Sequence, residues 1–172
     1  MIKRVSRFQL NASRAAFDFM PLDILIEHDG WNILTNLELL SEHAVAAVLP
    51  SDQSGKIITL LFANNETMQE LNNDWRGLDK PTNVLSFPAA VDQPVPAGEL
   101  VLLGDIVLGF EIVKQEADAA HKSLADHTAH LIIHGVLHLL GYDHENDDDA
   151  KLMETTEIKA LSSLGIANPY LS

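Results

Sequence analysis

Leu131-Ile132-Ile133-His134-Gly135-Val136-Leu137-His138-Leu139-Leu140-Gly141-Tyr142-Asp143-His144 is the stretch on which the reading of this chain turns. Apolar residues on nearly every side of positions 129 to 140 predict a buried helix. His134 and His138 stand four apart, so they differ by only about 40° around a helix axis and about 6 Å along it, and both imidazoles can face one ion. Gly141 can take the left-handed conformation that ends a helix, which lets the chain turn back and bring His144 to the same ion. The competing reading, core histidines each satisfied by a hydrogen bond, fits a lone buried His better. Several unpaired imidazoles on such a helix would each cost about 1 to 3 kcal/mol, and a shared metal removes that cost. Three protein ligands leave one position open, the mark of a catalytic zinc site rather than a closed structural one.

Working outward, His130 precedes His134 by one turn. A row of His130, His134 and His138 would span about 12 Å, too stretched for three Zn–N bonds of about 2 Å. His144 is therefore the better third ligand. His130 reads either as a residue behind the ligands or in a groove, or as simple packing, and His127 and His121 read as exposed. The spacing H-x-x-x-H-x-x-G-x-x-H is that of metzincin metal sites, with Gly135 in the place of the general-base Glu. A proton acceptor must then come from elsewhere.

The 172 residues suit one domain, and 47% hydrophobic with 21% charged residues is an ordinary globular composition. The absence of cysteine leaves imidazole and carboxylate as the expected metal ligands. The apolar run Leu131 to Leu140 is too short to span a bilayer. A net charge of −14 argues against non-specific nucleic-acid binding. Lys3, Arg4, Arg7 and Arg14 all precede the first acid, Asp18, so the rest of the chain is more acidic still. This basic start reads as a misassigned start or a transit segment. Residues 1–19 are expected to be a dispensable extension, with the fold in residues 20–172.

Strands are expected over Leu22 to His28, Ile57 to Phe62, Thr82 to Phe87 and Leu100 to Leu108. Helices are expected over Asn36 to Val48, from a cap at Asn65 towards Trp75, over Gly109 to Ala120, from a Ser123/Asp126 capping box to Gly141, and over Asp148 to Leu164. A turn is expected at Ser51 to Gly55, and a loop around Pro94, Pro96 and Gly98. The acidic run Glu145, Asp147, Asp148 and Asp149 reads as a helix N-terminus favoured by the macrodipole rather than a second metal site. The mixture predicts the α+β class: a single domain with one mixed sheet packed with helices.

The His134 to His144 segment resembles the signature of the YbeY family of bacterial endoribonucleases. Asn72-Asn73-Asp74-Trp75-Arg76-Gly77-Leu78-Asp79-Lys80-Pro81-Thr82-Asn83-Val84-Leu85-Ser86-Phe87-Pro88 is similar to the family's Arg-containing segment, and Leu103-Gly104-Asp105-Ile106 to its next strand. Many members carry Asp where Asn83 stands, so no role of that carboxylate carries over. The resemblance implies a zincin-like α+β domain that cleaves single-stranded RNA in small-subunit rRNA maturation and ribosome quality control. It also implies His134, His138 and His144 as ligands of one divalent metal, zinc first, and Arg76 as a catalytic or substrate-positioning residue.

An Arg suits a scissile phosphate because its planar fork binds two oxygens; a surface ion pair with Asp74 or Asp79 is the alternative. A positive groove on so acidic a chain requires the metal, Arg76 and Lys80 to converge. The expected partners are rRNA, the small ribosomal subunit and its assembly factors, in the cytoplasm, with neither membrane nor DNA. A metalloprotease or other metallohydrolase, or a non-catalytic assembly factor with a structural metal, are the competing readings.

Overall fold

The structure, a computed structural model, describes residues 3–5, 22–51, 56–90 and 101–171. Its frame is a five-stranded sheet: β1 (Lys3–Val5), β2 (Leu22–Ile26), β3 (Lys56–Ala63), β4 (Val84–Pro88) and β5 (Val101–Gly109), in the order β1-β2-β3-β5-β4. The three central strands β2, β3 and β5 run parallel, and both edge strands are antiparallel to their neighbours. The sheet is therefore mixed, and the expected α+β class holds. The segment set aside at the start is not wholly outside it, because Lys3–Val5 pairs with Ile24–Ile26. That is a correction to the sequence reading. Three residues carry too little pattern to announce a strand, and the pairing comes from the unfilled edge of β2. The rest of residues 1–19, most of the expected 51–55 turn and the expected Pro-rich loop lie outside the described residues.

Alternation along the strands sorts side chains onto two faces. Ile58, Leu60 and Phe62 of β3, with Ile106 and Leu108 of β5, join the main core beneath α1 (Leu37–Ala46), α4 (Leu124–Leu139) and α5 (Asp147–Ser163). Ala63, Val107 and Leu85 point the other way and meet Met68 of α2 (Asn65–Arg76). A short 3-10 turn, Asp29–Ile33, follows β2 and buries Trp31, whose indole N–H donates to the Ala63 carbonyl at 3.0 Å. α3 (Phe110–Ala119) follows β5 directly.

Capping sets the helix ends. The α4 start is as expected, with Ser123 Oγ accepting the Asp126 N–H at 3.0 Å. α2 begins one residue earlier in its cap than expected: Asn64, not Asn65, accepts the Thr67 N–H, because its extended backbone is the one that can turn its side chain back. The acidic run does open a helix, with Asp147, Asp148 and Asp149 in the first turn of α5 behind the Asn146 cap. Among the described residues no helix is long and apolar enough to cross a membrane.

Candidate metal centre

Helix α4 carries the site because its length and its stop are set locally. Thirteen of its sixteen positions lie between the Ser123 cap and Val136, and the last turn presents His138. Gly141 then adopts φ 89°, the positive value that a side chain rarely tolerates, and Tyr142 N–H returns to the Leu137 carbonyl at 3.0 Å. The reversal delivers His144, whose backbone N–H is held by Asp143 Oδ1 at 2.7 Å.

One ligand atom from each of His134, His138 and His144 lies within 4.8 Å of the others. The Nε2 atoms of His134 and His138 are 3.0 Å apart, close to the roughly 3.3 Å edge expected of a tetrahedron with bonds of about 2 Å. The His144 ring lies 5.7 Å from that of His134 and 5.1 Å from that of His138. The first two histidines are half-buried and His144 is exposed, so the triad opens towards solvent on one side. These residues could hold a metal ion.

The far nitrogens decide whether that set fits a metal, since a ligating imidazole needs its other nitrogen occupied to fix ring and tautomer. His138 Nδ1 donates to the Tyr142 carbonyl at 3.1 Å, and His134 Nδ1 donates to Glu157 Oε1 at 2.6 Å. With a bound ion replacing the proton that the two Nε2 atoms share across their 3.0 Å hydrogen bond, both would offer lone pairs inward, as metal ligation requires. Burial lowers the His138 pKa, and the neighbouring His134 and His144 lower it further, so the ring is kept in its neutral, ligating form.

Glu157 is 0% exposed in the middle of α5. Burial alone would raise its pKa, but contacts with His130, His134 and Tyr170 outweigh it and hold the carboxyl at about 2. Tyr170 O–H donates to Glu157 Oε2. His130 Nε2 stands 3.5 Å from the same oxygen, an electrostatic contact without hydrogen-bond geometry, since neither of its ring nitrogens has a hydrogen-bonded partner. His127, expected to be exposed, is instead buried, with Nε2 2.8 Å from Glu116 Oε2. The neighbouring α3, which a helical wheel of α4 does not include, covers it. Asn83 Nδ2 donates to the same Glu116 at 3.0 Å, so this chain has an amide where a carboxylate would face a carboxylate.

Gly135 stands where metzincins place Glu, and packing explains it. A Cβ there would lie 2.9 Å from Ile106 Cγ2 and 3.1 Å from Ser86 Oγ. Position 135 is the point at which α4 touches β4 and β5, and it has no room for a carboxylate.

Arg76 and Lys80 are not brought to the histidines by direct contact. Arg76 is the last residue of α2, on the sheet face opposite α4, exposed, and followed by Gly77 at φ 68°. Among the described residues no ion pair joins it to Asp74 or Asp79; Asp79 Oδ1 accepts from Gln69 instead. Lys80 is exposed, and its carbonyl accepts from the buried Asn72 side chain at 2.7 Å, which pins the loop after α2. The exposed Trp75 ring packs 5.4 Å from Phe87 of β4, so the end of α2 rests on the edge strand that flanks α4 on its other side.

The sequence reading missed Glu157 and Tyr170. A signal for Glu157 existed: Met153, Glu157, Ala160 and Leu161 follow the spacing of a core-facing stripe, and a carboxylate in that stripe needs a partner.

The chain folds as an α+β domain with three histidines that could hold a metal ion, and the family model described as endoribonuclease YbeY matches residues 27–165. Endoribonuclease YbeY of Bradyrhizobium diazoefficiens is 39% identical over 96% of this chain and 93% of its own length. That of Colwellia psychrerythraea is 48% identical, covering 78% of this chain and 84% of the relative. A protein from Thermotoga maritima, solved in solution, superposes with a TM-score of 0.50 at 24% identity, over 84% of this chain and 91% of the other. The chain belongs to the YbeY family.

Proposed function

We propose that this chain is a metal-dependent endoribonuclease that cleaves single-stranded RNA in small-subunit rRNA maturation and ribosome quality control, with one zinc ion per chain held by His134, His138 and His144. The carrying observation is the convergence of three imidazoles on one point, two with their far nitrogens already engaged. An ion there supplies Lewis acidity, which stabilises charge on a phosphodiester. The protein's own part is to orient His134 and His138 through Glu157 and the Tyr142 carbonyl and to present the triad at an open surface. Arg76 supplies a planar cation for phosphate oxygens, and Lys80 adds a point charge on the same loop.

The net charge of −14 fits a substrate met through this local site and through protein partners on the small ribosomal subunit, not through a broad basic surface, and neither DNA nor a membrane is expected. The expected location is the cytoplasm. The test is turnover of a single-stranded RNA against a peptide substrate by purified protein, with metal content measured on the same samples. RNA cleavage that disappears on chelation and returns with zinc is the expected result. Peptide cleavage without RNA cleavage would assign a metalloprotease, and metal binding without turnover of either substrate an assembly factor.

A further inference from the structure

His134 differs from the other two ligands in what stands behind it. His138 leans on the Tyr142 carbonyl, four residues away in the same turn. His134 leans on Glu157, 23 residues on and in another helix. A wholly buried carboxylate is costly to keep unless its oxygens are engaged, and both are: Oε1 by His134 and Oε2 by the Tyr170 hydroxyl. Tyr170 comes from the segment after α5. Gly165, at φ 74°, turns the chain back, Lys122 Nζ donates to the Pro169 carbonyl at 3.2 Å, and the Tyr170 ring meets His130 edge-on at 5.9 Å. The tail is thus fastened along α4 by one cation and one phenol.

Resting on the metal reading above, we propose that Glu157 and Tyr170 are positioning residues of the metal centre, Tyr170 acting through Glu157 to hold His134 with Nε2 turned to the ion. The phenol fixes the carboxylate in the one orientation that accepts from Nδ1, and the carboxylate fixes the imidazole's tautomer and plane. Zinc affinity therefore depends on residues at the C-terminal end of the chain, although none of them touches the ion.

The experiment is zinc affinity of the full chain, by competition with a chromophoric chelator, for the wild type, Tyr170→Phe, Glu157→Gln and the double variant, at a temperature where every zinc-free form is folded. Glu157→Gln keeps the shape but gives a weaker acceptor, and is expected to lose about 10- to 100-fold in affinity. Tyr170→Phe is expected to lose about three- to tenfold in the wild-type background, and nothing further once Glu157 is Gln. A merely structural tail would lower the melting temperature of the zinc-free form and leave affinity alone.

Affinity of Tyr170→Phe within about threefold of the wild type, or an equal loss in both backgrounds, overturns the proposal while leaving the three-His metal site intact. Should Glu157→Gln not fold, Tyr170→Phe alone decides on the same threshold. A wild-type protein that binds no zinc removes both this inference and the metal reading.

Discussion

Gly135 of α4 passes so close to Ser86 of β4 that a Cβ would stand 3.1 Å from the serine hydroxyl. With Ile106 only 2.9 Å away on β5, the helix is seated on the sheet at this residue. Gly135→Ala is expected to destabilise the zinc-free protein by about 1 to 3 kcal/mol, the usual cost of overpacking. Gly135→Glu should cost more and should not create a peptidase, because its carboxylate would point into the sheet. Urea unfolding of both variants measures the cost; full stability of Gly135→Glu would show that α4 sits elsewhere.

Arg76 ends α2 whereas the histidines lie on α4 and the turn after it, so their variants should fail differently. Arg76→Ala is expected to keep fold and metal while losing about 10²- to 10³-fold in RNA cleavage, the loss typical of removing a stabiliser of transition-state charge. Arg76→Lys should recover only part, since an ammonium lacks the bidentate fork. His138→Ala should lose metal and activity together, and chelation should no longer lower its melting temperature. Single-turnover cleavage with metal analysis separates the two patterns, and wild-type cleavage by Arg76→Ala would take Arg76 out of the mechanism.

Acid should unfold the zinc-free protein in two stages. Burial lowers the pKa of His127 and of His138 from 6.5, so below that pH the unfolded chain takes up protons that the folded chain refuses, and stability falls. Glu157, held at about 2 against an ordinary 4.5, contributes in full above 4.5 and loses its contribution as pH falls towards 2. Glu157→Gln should erase the lower stage and leave the upper one. Urea midpoints from about pH 7.5 to 3 make the measurement, and an unchanged lower stage in the variant would detach Glu157 from acid stability.

A chain that begins at Met20 is expected to fold, bind metal and cleave RNA. The pairing it forfeits is three residues long at a sheet edge, Lys3–Val5 on β2, and the three histidines that could hold an ion all lie on α4 and the turn beyond it. Insoluble protein after truncation would assign this segment to the folded domain, through the edge of β2 that Lys3–Val5 covers.

The sequence by itself determined whatever depends on neighbours along the chain. Two imidazoles four residues apart must share a helix face, Gly141 must end that helix, and His144 follows three residues later, so a cluster of three histidines able to hold an ion was legible before any fold was known. The alternating strands and capped helices likewise announced the α+β class, because their periods are local. Only the tertiary structure decided which faces meet. It placed β5 between β3 and β4, seated Gly135 against Ser86, covered His127 with α3, and set Glu157 and Tyr170 behind His134. Periodicity says that a face is buried but not against what, and a buried carboxylate finds its partner only when two helices distant in sequence have packed.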